Sequence, residues 1–146
     1  MGNRKLLWHG SQLGNWAGIL KDGLRMEKAR RSSFGIGIYF ADCVDKSLEF
    51  SSTVGTGKQV LALCEVALGK PAPTIDQRVP KVHHSYFYQG GRQPDPAGDV
   101  TLAGGVQVSL GKLCAPPDPS GFWLNEYVVF HDHQIRIRYL LTVRKC

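Results

Sequence analysis

No run in this 146-residue chain approaches the roughly 18 consecutive apolar residues of a helical membrane span, and its first residues form no apolar signal core. Neither a membrane helix nor secretion is expected. Cysteine is sparse. The four stand at 43, 64, 114 and 146, without a C-x-x-C pair or a zinc spacing. An even number suggests disulfides, but Cys64 lies inside the apolar run VLALCEVAL and reads as a small core residue. A reduced, intracellular protein is the expectation. Internal repeats and low-complexity blocks are absent too, which removes repeat arrays from consideration. Dense charge is missing as well. The net charge is +6, yet its densest patches, Lys21–Arg31 and Arg136–Lys145, are too short for a basic arm. A nucleic-acid-binding domain has only that overall charge behind it.

What remains is an ordinary globular composition, 42% hydrophobic and 21% charged, at a length that suits one domain with a single core. Histidine pairs occur as HH at 83–84 and as HDH at 131–133. A metal could use them, but neighbouring histidines in Gly- and Pro-rich sequence read first as solvated loop residues. No metal site is expected.

The chain is organised as alternating short elements. KLLWH (5–9) reads as a strand. NWAGILKDG then places Trp16, Ile19 and Leu20 at helical spacing, with Asn15 as its cap and Gly23 as its stop. GIGIYFA (35–41) reads as a strand, and DCVDKSLEFSS (42–52) as a short helix with an acidic beginning. QVLALCEVAL (59–68) is the strongest strand, nearly all apolar and so central. From 69 to 119 the texture turns to Pro, Gly, Asp and His, with a hairpin expected around Gly104–Gly105. NEYVVF (125–130) and QIRIRYLLTV (134–143) close the chain. In the last strand Ile135, Ile137, Tyr139, Leu141 and Val143 are expected on one face, with Arg136, Arg138 and Thr142 on the other. Many strands, two short helices and no βαβ regularity indicate α+β with largely antiparallel sheets. A lone G-x-G at Gly35–Gly37 is weak support for dinucleotide binding.

Three polar residues sit where strands want hydrophobes. His9 ends the first strand, Tyr39 lies in a second, and Glu126 interrupts the run FWLNEYVVF. A lone carboxylate at a strand end is commonly a solvated edge charge. The three could equally converge in a cleft where strand ends meet. Their spacing leaves both readings standing.

LLWHGS, WAGILKDGLR, FGIGIYFAD, DKS, EVALGK and NEYVVF, in that order, resemble the catalytic domain of the poly(ADP-ribose) polymerases. The resemblance runs from about residue 5 to 144, and PDP (94–96) and VQVSLGK (106–112) fit the family's donor-side excursion. It implies the ADP-ribosyltransferase fold, a split sandwich of two mainly antiparallel sheets around an NAD cleft with short flanking helices. It also implies roles. His9 would hydrogen-bond ribose hydroxyls, Gly10 would offer its backbone to the nicotinamide carboxamide, and Ser11 would add a hydroxyl on the ribose side. Ser47 matches a second carboxamide contact, and Tyr39 and Phe50 would sandwich the ring. Phe50 stands where better-known members have Tyr, so a stacking face survives without the hydroxyl. Asn15 and Arg25 match residues that hold the adenosine-diphosphate end, and Ala41 joins the implied NAD-binding set. Glu126 matches the catalytic glutamate and Lys46 a lysine near it, while a solvated helix charge is the plainer role for Lys46. Together His9, Tyr39 and Glu126 match the His-Tyr-Glu triad of the polymerase-type members.

Three departures qualify the match. Polymerising members have a Tyr-Met pair where this chain has Ser32–Ser33, in a shorter loop, MEKARRSS (26–33). Leu124 stands where several relatives have an aromatic residue. Met1 falls only eight residues before His9, whereas the family has a further strand and helices ahead of it. The expected domain, residues 1–146, is thus either shortened at its N-terminus or a fragment, without the helical autoinhibitory domain of DNA-damage-dependent members. The resemblance implies an NAD-dependent glycosyltransferase that releases nicotinamide and needs no metal. Poly(ADP-ribosyl)ation is the first expectation, mono-transfer the second, and a catalytically weak NAD or ADP-ribose binding module the third. The implied partners are protein acceptors modified on Ser, Glu or Asp, and a separate activating or DNA-binding chain. By the same resemblance the protein would be nuclear in a eukaryote.

Overall fold

In the computed structural model, residues 1–52, 57–72, 83–119 and 122–144 are described. Cys146, the end of the Arg136–Lys145 patch and the 73–82 part of the Pro/Gly-rich excursion lie outside them. The strands are, in chain order, β1 (Arg4–Gly10), β2 (Arg31–Ser32), β3 (Gly35–Ile36), β4 (Ile38–Phe40), β5 (Lys58–Ala67), β6 (Pro71–Ala72) and β7 (Ser85–Tyr88). They continue with β8 (Gln93–Pro94), β9 (Val100–Leu102), β10 (Val106–Val108), β11 (Leu113–Cys114), β12 (Glu126–Val129) and β13 (Ile135–Arg144). Two α-helices are described, α1 (Trp16–Asp22) and α2 (Val44–Leu48).

One sheet has the order β13-β5-β1-β10-β9 and a second the order β4-β12-β7-β6, with the ribbons β2–β3 and β8–β11 beside them. Only β1–β10 and β6–β7 pair in parallel; the other described pairs are antiparallel. This is the expected α+β architecture. The apolar β5 is central, lying between β13 and β1, and Cys64 is fully buried in it. Burial pushes the Cys64 thiol up to about 12, so it stays a thiol and packs as a small hydrophobe. Leu7, Ala62, Cys64 and Val66 from the first sheet meet Ile38, Phe40, Tyr127 and Val129 from the second, with Trp16 of α1 joining the same core. No helix among the described residues is long and apolar enough to cross a membrane.

The two sheets are joined by main chain. Trp8 N–H donates to Ala41 O at 2.7 Å, and Ala41 N–H donates to Trp8 O at 3.0 Å. A second junction is made by one side chain. Gln134 Oε1 accepts from the N–H groups of Phe130 and His131, at 3.2 and 3.1 Å. Its Nε2 donates to Ala67 O and His84 O, both at 2.9 Å. The turn between β12 and β13 is thereby tied to both sheets.

Five local expectations are corrected. The strand expected over 35–41 is broken at Gly37, where a Cβ would lie 2.3 Å from Val128 Cγ1. Asn15 does not cap α1 with its side chain: it closes a 3-10 turn with helical backbone angles (φ −83°, ψ −20°), and its Nδ2 donates to Ser11 Oγ at 2.9 Å. Leu20, expected on the buried stripe of α1, is 58% exposed, and only Trp16 of that helix is buried. The single-face pattern expected for the last strand fails at a bulge between Ile137 and Tyr139. Ile135 and Ile137 pair with Val66 and Cys64 on the core side, but beyond the bulge Tyr139 and Leu141 pair with Leu63 and Leu61 on the other face. Near the start of the excursion, His84 is not a solvated loop residue either: its Nδ1 accepts from Lys70 N–H at 3.2 Å and it packs on Gly69. The expected hairpin is present, with Gly104 and Gly105 both at positive φ between β9 and β10.

Gln134 is 2% exposed, so its four hydrogen bonds have no ready substitute from water. Gln134→Ala should lower unfolding free energy by about 2–3 kcal/mol, because several backbone groups lose their partner together. Urea denaturation of the two proteins measures it, and a difference below about 0.5 kcal/mol would show that the turn re-satisfies itself.

Candidate active site

Beside the Trp8–Ala41 junction lies a cavity of 670 Å³. Every residue expected at the site lines it: His9, Gly10, Ser11, Asn15, Arg25, Tyr39, Ala41, Lys46, Ser47, Phe50 and Glu126. Its size is in the range of small-molecule and nucleotide sites. The residues come from β1, β4, α2, β12 and the segments on either side of α1, far apart in sequence, so only the meeting of the sheets assembles them.

His9, next to last in β1, has its ring between Phe40 and Trp16, at centroid distances of 5.4 and 6.5 Å. Its Nδ1 lies 2.8 Å from Tyr39 O. A carbonyl can only accept, so Nδ1 carries the proton and Nε2 keeps a lone pair. Burial lowers the His9 pKa, and the bond to the Tyr39 carbonyl only partly offsets this. The ring is therefore a neutral acceptor for a ligand hydroxyl. At Gly10 the lack of a side chain has a packing cause: a Cβ would sit 1.9 Å from the Ser47 carbonyl oxygen. Glycine here lets α2 press against β1 and brings Ser47, 4% exposed, to the same wall. Ser11 accepts from Asn15, which ties the end of β1 to the start of α1.

Tyr39 is held by its own loop. Its hydroxyl donates to Gly35 O at 2.8 Å and accepts from Phe34 N–H at 3.1 Å. Burial raises its pKa, so the phenol is neutral and its ring is a fixed wall. Phe50 is 46% exposed at the cavity, with Lys46 Nζ 5.6 Å from its ring centroid. Ala41 is 1% exposed and contributes through its main chain to the sheet junction. Arg25 is drawn to the β12–β13 turn, its Nε 3.1 Å from Asp132 Oδ2, while Asp132 Oδ1 accepts from Met26 N–H at 2.6 Å.

Glu126 is the deepest of the charges. The edge-charge reading is set aside, because β12 lies inside its sheet between β4 and β7 and Glu126 is 6% exposed. Its Oε1 is 3.0 Å from Lys46 Nζ, which also reaches Glu49 Oε2 at 3.0 Å. Burial alone would lower the Lys46 pKa, but the hydrogen bonds to Glu49 and Glu126 and the two carboxylate charges outweigh it and raise it. Lys46 is thus a held ammonium and not a solvated helix charge. The cavity pairs a buried carboxylate with a neutral imidazole acceptor, suited to a ligand with several hydroxyls and a centre that becomes cationic.

The sequence profile described as "Poly(ADP-ribose) polymerase catalytic domain" matches residues 1–145. The chain belongs to that family. It is 41% identical over 153 residues to "Poly [ADP-ribose] polymerase 2-A" of Oryza sativa subsp. japonica, covering 97% of this chain and 23% of the relative. To "Poly [ADP-ribose] polymerase 2" of Arabidopsis thaliana it is 40% identical, with 97% and 24% covered. To "Poly [ADP-ribose] polymerase 1" of Danio rerio it is 40% identical, with 97% and 15% covered. The chain therefore spans a quarter or less of the length of these curated relatives.

The structure adds cavity-lining residues that had no expected role. Arg30, Arg31 and Ser32 come from the loop that precedes Tyr39. The arginines were visible only as part of a charge patch, since nothing in a charge run says which way a loop folds. Among the described residues, no group of three or more potential metal ligands occurs.

The neutral His9 has a consequence for stability. The unfolded chain protonates this imidazole near pH 6.5, while the folded chain resists doing so. The stabilisation is fully present above about pH 6.5 and is lost as pH falls from there towards the lowered folded value. His9→Gln should flatten that part of the profile, read as urea midpoints at several pH values between about 7.5 and 5. Parallel profiles for the two proteins would show that His9 is protonated freely in the fold.

Proposed function

We propose that this chain binds NAD in the cavity and transfers ADP-ribose to protein acceptors with release of nicotinamide, and that residues 1–146 act as one catalytic unit. The observation that carries this reading is the buried Glu126 carboxylate, paired with Lys46 on the same cavity as the neutral His9. The nicotinamide of NAD is already cationic, so it leaves without a general acid, and one carboxylate suffices where glycosidases use two. As its bond to the ribose breaks, positive charge grows on the sugar. A preorganised carboxylate facing that charge stabilises it and can orient or deprotonate the attacking acceptor. Gly10 and Ser47 would hold the carboxamide, His9 and Ser11 the ribose, Tyr39 and Phe50 the ring faces, and Asn15 and Arg25 the adenosine-diphosphate end. Ala41 would shape the floor between them.

Poly(ADP-ribose) is the proposed product, in keeping with the names of the relatives. Mono-transfer is the second reading, favoured by Ser32, which lines the cavity where polymerising members carry the Tyr-Met pair. Side chains of Ser, Glu or Asp are the proposed acceptor groups. A separate activating chain and, in a eukaryote, a nuclear location belong to the same reading. No metal is assigned to the chemistry. Sizing the protein-bound label after incubation with labelled NAD separates a polymer from a single unit.

Glu126→Gln removes the charge and keeps the shape. It should slow nicotinamide release by on the order of 10²–10³, while affinity for a benzamide-type mimic stays within about twofold. A folded variant that transfers at the parental rate would remove Glu126 from the mechanism.

Tyr39→Ala and Phe50→Ala make the complementary test. Each should weaken mimic binding by about 1–3 kcal/mol through lost burial and stacking. Calorimetric titration of variants shown to be folded measures it, and parental affinity in both would place the ring elsewhere.

A further inference from the structure

The strand that carries Glu126 is anchored from behind. Side chains alternate along a strand, so Asn125 and Tyr127 share the face opposite Glu126. Tyr127 stands opposite Phe40 in the β12–β4 register, which brings position 125 opposite Asp42, just beyond β4. One oxygen of Asp42 takes both neighbours: Asn125 Nδ2 donates to Asp42 Oδ2 at 2.8 Å and Tyr127 OH donates to it at 2.9 Å. Asn125 Oδ1 in turn accepts from Gly90 N–H at 2.8 Å. Asp42, Asn125 and Tyr127 are 8%, 3% and 4% exposed.

We infer that Asp42 is a positioning residue, which fixes the rotation of β12 through Asn125 and Tyr127 and so aims the Glu126 carboxylate into the cavity. The inference rests on the proposed catalytic reading of Glu126. Two hydrogen bonds from residues i−1 and i+1 to a single atom act as a clamp on residue i. The ladder to β4 begins only at Tyr127, so on that side these two bonds are what hold the chain across position 126. Asp42 is itself held, since it directly follows Ala41, whose N–H and C=O bridge to Trp8. The clamp therefore refers the position of Glu126 to the strand that carries His9. Gly90 adds a third segment, where a Cβ would lie 2.3 Å from the Leu124 carbonyl carbon. Burial raises the Asp42 pKa, partly offset by the bonds from Asn125 and Tyr127 and by the charge of Lys5. Both arms of the clamp donate to the same oxygen, so what they need from residue 42 is an acceptor.

The experiment uses the 146-residue chain with Asp42→Ala and Asp42→Asn. Its readouts are kcat and KM for nicotinamide release, benzamide affinity, and the carbon-13 resonance of the Glu126 carboxyl at one fixed pH. Asp42→Ala should lower kcat about 10- to 100-fold, as a misplacement near 1 Å does, with KM and benzamide affinity within about twofold. The Glu126 carboxyl resonance should move, because its 3.0 Å pairing with Lys46 loosens. Asp42→Asn should restore kcat to within about threefold of the parent, since its side-chain oxygen still accepts. An unchanged kcat in Asp42→Ala, a change in KM alone, or a folded Asp42→Asn as slow as Asp42→Ala would overturn the inference. Should Asp42→Ala not fold, Tyr127→Phe cuts one arm of the clamp, and an unaltered kcat there would overturn it equally. Should the parent release no nicotinamide, the catalytic reading fails by itself. The Glu126 carboxyl resonance then still decides the clamp: moved in the variant it supports it, unmoved it refutes it.

Discussion

The main-chain bridge between Trp8 and Ala41 is the constraint on which the rest of the site depends. Two hydrogen bonds of 2.7 and 3.0 Å join the first sheet to the second one residue before His9 and one residue before Asp42. Backbone groups buried between sheets must find partners, and here the partners lie in different sheets. Beyond that junction the sandwich opens, and the opening is the cavity. His9 is held at its rim by the Tyr39 carbonyl, so the imidazole and the second sheet share one frame of reference. The position of a catalytic group is only as sharp as the elements that carry it.

Electrostatics then act on a site already shaped by packing. A carboxylate with little exposure needs compensation, which Lys46 supplies at 3.0 Å while also bonding Glu49 on its own helical segment. On the outer side of the first sheet the signs are reversed: Glu65 is gripped by Arg4 at 2.7 Å and by Arg138. The hydrogen bond from Arg138, above the opposing effect of burial, and the one from Arg4 hold the Glu65 carboxyl below its usual range. One arrangement joins strands across a sheet, and the other holds a charge ready at a cavity.

Much of this was legible in the residues. The central strand, the buried Cys64, the glycine hairpin and the α+β class followed from hydrophobic pattern and turn chemistry, which are local properties. Failures fell where a local rule met a distant neighbour. Gly37 interrupts a strand where Val128 packs against it, and Asn15 loses its capping role because the turn before α1 gives it helical backbone angles. The bulge after Ile137 turned Tyr139 and Leu141 to the other face, and no alternation pattern announces such an insertion.

The sequence by itself determined the family, through six motifs in one order, and with it the identities of the residues around the cavity. Nothing in their spacing made His9, Tyr39 and Glu126 neighbours. Tertiary structure decided that Glu126 lies inside a sheet and not on its edge, and that Lys46 is its counter-ion. It also decided that the missing side chain at Gly10 makes room for the Ser47 carbonyl. The reason is physical: motifs record which residue types a site uses, whereas burial, charge state and orientation arise from elements that meet only when the sheets close.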